Sequence, residues 1–144
     1  MYEGWENSQP SFINKKTMKT QEKPSMEEIQ ENLSYFHGTE MYHTHQLGVG
    51  LKILITDGCH YLREAAGCYW LFDLILSYQM RKTIQKESFQ VWRLRKNHDE
   101  SAVVNCTDGN GKFIVKQKIE YTDFPLDTIE VWLVDGIGML PGEY

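Results

Sequence analysis

Thr56-Asp57-Gly58-Cys59-His60-Tyr61-Leu62-Arg63-Glu64-Ala65-Ala66-Gly67-Cys68-Tyr69-Trp70-Leu71-Phe72-Asp73-Leu74-Ile75-Leu76-Ser77-Tyr78-Gln79-Met80 is the stretch on which the fold reading turns. Thr56-Asp57-Gly58 is turn chemistry, and it can also start a helix, with Asp57 at the positive end of the dipole. Helix formers dominate from Cys59 to Met80, and no proline follows until Pro125. Steps of three and four place Leu62, Ala65, Ala66, Tyr69, Phe72, Leu76 and Met80 on one broad face. Arg63, Glu64 and Gly67 lie away from it. Beyond Gly67 the other side is apolar too, at Trp70, Leu71 and Leu74. The spacing therefore predicts one long central helix, buried on several sides or meeting a second chain. Gly67 marks either a kink or the close approach of a strand. The apolar run is about half of the ~20 residues a bilayer demands, so no membrane helix is expected.

The strands that such a helix would cover follow it. Phe89 to Lys96, Ala102 to Cys106, Lys112 to Tyr121 and Ile129 to Val134 read as strands, and Asp108-Gly109-Asn110-Gly111 is hairpin chemistry. In the third of them Phe113, Val115, Gln117, Ile119 and Tyr121 alternate with Lys116, Lys118 and Glu120, so one face is wet. Before the helix, Pro24-Ser25-Met26-Glu27-Glu28 opens a short helix with a capping box, running to about Tyr35. Met41 to His45 alternates as a short strand, Gly48 and Gly50 make a turn, and Leu51 to Ile55 is the next strand. The fold class expected is α+β: an antiparallel sheet of about four to five strands packed on the central helix, with a short N-terminal helix. Residues 1–24 carry two prolines and no sustained period, so they are expected to be a disordered leader before a single domain over 25–144.

The chain has 144 residues, 41% of them hydrophobic, and a net charge of −5. That balance argues against a nucleic-acid binder relying on a basic surface, and no direct nucleic-acid contact is expected. The leader is +1, so the acidic excess of −6 lies in residues 25–144. Cys59, Cys68 and Cys106 include no Cys-x-x-Cys pair, no signal peptide opens the chain, and buried free thiols in a reducing cytoplasm are the simplest reading.

Histidine supplies the most suggestive cluster. His43 and His45, two apart on a strand, project to one face, and Cys59 or His60 could complete a tetrahedral zinc site. No His-Glu-x-x-His or paired-cysteine motif accompanies them, so the default is no cofactor. Cys59 beside His60 could pair as thiol and base, although adjacent helical residues diverge. Asp73 is the only charge between Cys68 and Ser77, either a hydrogen-bonded edge carboxylate or a functional one. Trp92 and Trp132 read as core in preference to an aromatic platform.

Several runs carry a resemblance. They are Phe36-His37-Gly38-Thr39-Glu40, Thr56-Asp57-Gly58 with Ala65 to Leu71, Phe89-Gln90-Val91-Trp92, Cys106 to Gly111, Thr122 to Leu126, and Leu140 to Tyr144. Over about residues 33–144 the chain resembles an uncharacterised family of short proteins from phage, plasmid and bacterial genomes. The resemblance implies a mobile-element setting and transfers no catalytic residue.

The expected function is a non-enzymatic interaction or regulatory protein of a mobile element, of the counter-defence kind. Its acidic surface would engage a basic, nucleic-acid-binding host or defence protein. Trp70, Leu71, Asp73 and Leu74 are the candidate contact residues. The alternatives are a small metal-dependent enzyme using His43, His45, Asp57 and His60, and a homo-oligomeric assembly protein.

Overall fold

Helix α1 (Met26–Leu33) starts as its sequence dictates. In the computed structural model, which describes residues 23–144, the Ser25 hydroxyl accepts from Glu28 N–H and Glu28 bonds back to Ser25 N–H, the reciprocal capping box. Ile29 is the one residue α1 buries, and Asn32 Nδ2–H donates to the Tyr61 hydroxyl of the next helix at 2.9 Å. The expected leader falls almost wholly outside the described residues.

Strands β1 (His43–Leu47) and β2 (Leu51–Ile55) form an antiparallel hairpin closed through Gly48 and Gly50, both at positive φ. The expected strand pairing is thus present, with β1 two residues later than its alternation suggested.

The single central helix is corrected to two. Thr56 caps α2 (Asp57–Ala65), its hydroxyl accepting from Cys59 N–H. That helix ends at Gly67, held at φ +62°, where Cys68 N–H reaches back to the Arg63 carbonyl at 3.1 Å. This is the six-to-one bond of a Schellman ending, which a left-handed glycine permits. A separate α3 (Tyr69–Tyr78) follows, and then a four-residue α4 (Lys82–Gln85) that the pattern did not announce. Gly67 is therefore a stop. No described atom lies within 4 Å of where its Cβ would stand, so no strand approaches it closely.

The sheet is also larger than expected, and it is mixed. Seven strands lie in the order β1-β2-β7-β6-β3-β4-β5, where β3 is Phe89–Lys96, β4 Ala102–Thr107, β5 Phe113–Ile119, β6 Thr128–Val134 and β7 Ile137–Met139. All pairs are antiparallel except β2 with β7, which run parallel. The additional β7 arises from Asp135 and Gly136, at φ +51° and +83°, which turn the chain tightly back along β6. Three residues suffice because β7 is paired on both sides, and Gly138 admits the neighbouring Ile55, whose Cγ2 lies 3.2 Å from where a Cβ would stand.

The core sits between one face of this sheet and the helices. Ile53, Ile55, Trp92, Leu94, Val104, Val131 and Leu133 meet Leu62, Leu71, Phe72, Ile75 and Leu76, all buried. Met80, assigned to the core-facing stripe, is instead exposed beyond the end of α3. Among the described residues no helix is long and apolar enough to cross a membrane.

Candidate functional site

On its core-facing side β1 presents His43 and His45, and against them α2 sets Asp57, His60 and Arg63 while α3 sets Tyr69 and Asp73. His60 and Arg63 are three apart and so share a face of α2. Arg63 is buried, 7% exposed. Its guanidinium donates to His45 Nδ1 at 2.9 Å and to His60 Nδ1 at 3.1 Å. A guanidinium is always a donor, so both imidazoles accept at Nδ1 and carry their proton on Nε2. His45 Nε2–H then donates to Asp73 Oδ1 at 2.8 Å. The Arg63 Nε is buried with no hydrogen-bond partner, since Glu64 Oε2 stands 3.4 Å away in poor alignment. The Tyr69 ring lies 4.5 Å from the guanidinium carbon, a cation–π contact, and the Tyr69 hydroxyl donates to Glu64.

A second branch meets this one by stacking. The His43 and His60 rings are parallel within 5° at 4.0 Å, and Asp57 Oδ1 bonds His43 Nε2 at 2.8 Å. Asp57 is held at the start of α2, where its other oxygen accepts from Glu40 N–H at 2.9 Å. The His43 bond and these backbone donors bring the Asp57 carboxyl down to about 2. Desolvation, then His43 and Arg63, push the His60 imidazole below its ordinary value. Among the described residues no hydrogen bond engages His43 Nδ1 or His60 Nε2.

The candidate zinc ligands do not assemble among the described residues. His43, His45 and His60 are neighbours, but their partnered nitrogens point at Asp57, Asp73 and Arg63. Cys59 is buried in the core with its thiol pushed well up by that burial. Among the described residues no group of three His, Cys, Asp or Glu has metal-holding geometry. Cys68 and Cys106 are likewise buried and free, with burial raising both thiols to about 12, so none of the three is an activated nucleophile.

Of the four candidate contact residues, Leu71 is 1% exposed and belongs to the core. Trp70 and Leu74 are half-buried against it, and Asp73 is the His45 partner. Trp70 lines a shallow hollow of about 350 Å³ with Ile119 and Tyr121.

Sequence reasoning misses Arg63 because a charge is set on the wet side, although it lies four residues after Cys59 and three before Ala66, both buried. The available signal is its spacing of three from His60. Glu143 is missed as well. Its carboxylate accepts from Thr56 Oγ1 at 2.5 Å, from Gly58 N–H at 3.0 Å and from Leu140 N–H at 3.0 Å, tying the C-terminal segment to the start of α2. Gly58 is required there, because a Cβ would sit 2.6 Å from Glu143 Oε1 and 2.7 Å from Leu140 Cδ1. The largest cavity described, about 530 Å³, lies beside this segment, where β7 stops short of the full length of β6; Leu33, Phe36, Ile129 and Leu140 line it.

Charge is distributed unevenly over the two halves. Residues 25–80 contain Glu27, Glu28, Glu31, Glu40, Asp57, Glu64 and Asp73 against only Lys52 and Arg63. Arg63 is buried, and Lys52 faces away from the helices. The side of the molecule formed by α1, β1, α2 and α3 therefore shows mostly acids, with Arg81 stacked on Tyr78 at the end of α3 and Arg93 across a cavity from α1. Tyr35, Met41, Tyr42 and Tyr69 are exposed on the same elements.

An acidic helical side on a mixed α+β sheet defines a small domain with no assembled metal centre or activated thiol among its described residues. Its sequence places it further: residues 27–144 match DUF6876, a family of unknown function, and the chain belongs to that family. No curated protein and no solved structure matches it.

Proposed function

We propose that the protein is a cytoplasmic regulatory module of a mobile element that binds a basic host or defence protein through the acidic side of α1, β1, α2 and α3. The observation that carries this reading is the seven acids of residues 25–80 against Lys52 and the buried Arg63 alone. Complementary charge steers association and selects partners. The exposed Tyr35, Met41, Tyr42 and Tyr69 supply the aromatic and methionine content found where interfaces bury surface. The mobile-element setting rests on the resemblance of about residues 33–144 to short proteins of phage, plasmid and bacterial genomes.

The test is a pull-down from nuclease-treated host lysate at low and high salt, with wild-type protein and a Glu27→Lys, Glu31→Lys, Glu40→Lys variant. These side chains are exposed, so the variant should fold normally. A stoichiometric basic protein retained by wild type, released by salt and lost by the variant is the expected outcome. A partner held equally by both proteins at both salts overturns the electrostatic reading.

A second reading, a small hydrolytic enzyme, draws on one observation. His43 is partly exposed and carries an ionised aspartate on one nitrogen with the other unengaged among the described residues, as a general base needs. Activity found in a substrate screen that survived both His43→Ala and Asp57→Asn would remove it.

A further inference from the structure

The face of β3, β4, β5 and β6 that points away from the helices has a chemistry that the net charge hides. Register sets it out. Arg93 pairs with Asn105, which pairs with Lys116; Arg95 pairs with Val103, which pairs with Lys118. Strand and residue spacings put the cations of each row about 10 Å apart and the two rows about 7 Å apart. All four are exposed. The single acid within this grid, Glu130, is bound to Arg93 and accepts from Trp132 Nε1–H at 3.0 Å. Asp99 and Glu120 lie at its margin; Asp99 is already engaged by Ser101, whose N–H and hydroxyl both donate to it. Asn105 Oδ1, between the two rows of strands, is an acceptor without a partner.

Next to the cations stands an aromatic group. Phe89, Trp132 and Tyr144 have ring centroids 5.2 to 5.5 Å apart. Beside them opens a hollow of about 330 Å³, walled by Phe89 and Trp132, floored by Val91, and edged by Thr107, Arg93 and Glu130. The tilted Phe89 and Trp132 rings, in contact with each other, give it one apolar aromatic side, with the paired Arg93 and Glu130 at its rim. A planar heteroaromatic base fits that combination, and an acidic peptide side chain uses neither the aromatic side nor the Glu130 acceptor.

We propose that this face binds single-stranded nucleic acid, one base entering the hollow beside Trp132 and Phe89 while the backbone phosphates meet Arg95, Lys116 and Lys118. Base stacking on aromatics with a cationic track is how sheets hold unpaired strands without reading sequence. The acids of α2 and α3 lie across the sheet, where screening over about 8 Å at physiological salt limits their repulsion, while α1 borders a cavity that Arg93 shares at one edge of the grid. The site is independent of the acidic side and goes beyond it: the protein would contact nucleic acid itself as well as a basic protein.

The experiment is fluorescence anisotropy of the full chain with fluorescein-labelled 12-nucleotide oligo(dT) and oligo(U), and with a duplex of equal length. Saturable binding of the single strands is expected at 50 mM salt. Three phosphate contacts predict about 20-fold weaker binding at 200 mM. Lys116→Glu with Lys118→Glu, both surface changes, should weaken binding at least about ten-fold. Trp132→Ala should do so by about ten-fold. The duplex, whose bases are stacked away, should bind more weakly than either single strand. Absence of saturable binding at 50 mM salt overturns the proposal, as does binding that the double lysine variant leaves unchanged. Poly-glutamate that displaced the oligonucleotide at equal charge concentration would also overturn it, assigning the face to an acidic protein.

Discussion

Trp92 and Trp132 stand on neighbouring strands of one sheet and point in opposite directions. Trp92 is 2% exposed under the helices, its Nε1–H donating to Gln90 Oε1 at 2.9 Å, with Tyr78 packed 5.6 Å from it. Trp132 lies on the face without helices, half-buried among Phe89 and Tyr144. The same residue type, in the same β alternation, is a structural anchor on one face and a contact surface on the other. Sheet alternation separates the two faces; only what packs on each decides which tryptophan is core.

The sharpest way to test that comparison is to truncate both. Trp92→Ala removes a fully buried ring and should cost about 3–5 kcal/mol in urea unfolding. Trp132→Ala should cost less, about 1–2 kcal/mol, because part of its surface already meets water. Equal losses would mean that the second face is covered as thoroughly as the first.

A smaller effect probes the polar part of the covered face. Arg63→Met keeps the bulk but withdraws the donor that His45 and His60 share, leaving two imidazole acceptors unsatisfied. A loss of about 2–3 kcal/mol is expected, against about 0.5 kcal/mol or less for Arg95→Met on the open face. If Arg63→Met were neutral or stabilising, the network would contribute no net stability.

The smallest effect is pH dependence, and it too should belong to the covered face. The His60 imidazole titrates below its ordinary 6.5 in the folded protein. The unfolded chain therefore binds more protons as pH falls through 6.5, and stability declines from there until the folded group also protonates. Asp57 acts lower: its carboxyl, ordinarily at 3.8, is held at about 2, so its stabilisation is present above 3.8 and is lost between about 4 and 2. Urea midpoints measured from pH 8 to 5 should fall for wild type and flatten for His60→Gln. An unchanged slope in that variant would assign the dependence to another group.

Local signals carried much of the architecture. The Ser25–Glu28 box placed the start of α1, and alternation placed β3 at Phe89–Lys96 and β4 and β6 to within one residue. Thr56 and Asp57 marked the start of α2. The break at Gly67 was harder to read, because a glycine in a helical pattern is compatible with a kink, a close approach or a stop. The Schellman bond between Cys68 and Arg63 selects the last. The stop re-phases α3 relative to α2, whereas Arg63, already on the Cys59 side of α2, is the buried centre of the histidine cluster.

The candidate sites were legible in part. His43, His45, His60 and Asp57 are spatial neighbours, but their bonding was not legible, since Arg63 holds one nitrogen each of His45 and His60 while Asp57 holds His43. Net charge obscured the open face, because a sum over the chain discards which side of a strand each residue takes.

Capping, turn geometry and period-two alternation act within a few residues, so the sequence alone determined the α+β class, the starts of α1 and α2, most strand spans, and the acidic excess of residues 25–80. The tertiary structure decided the rest. Strand β7 exists because β2 and β6 stand on either side of three residues that have too little pattern of their own. Gly58 is dictated by Glu143, 85 positions away along the chain. The grid of Arg93, Arg95, Lys116 and Lys118 depends on β3 and β5 being separated by one strand. Each is a consequence of strand order and of which face the helices cover, and both are settled by burying the whole chain's apolar surface at once.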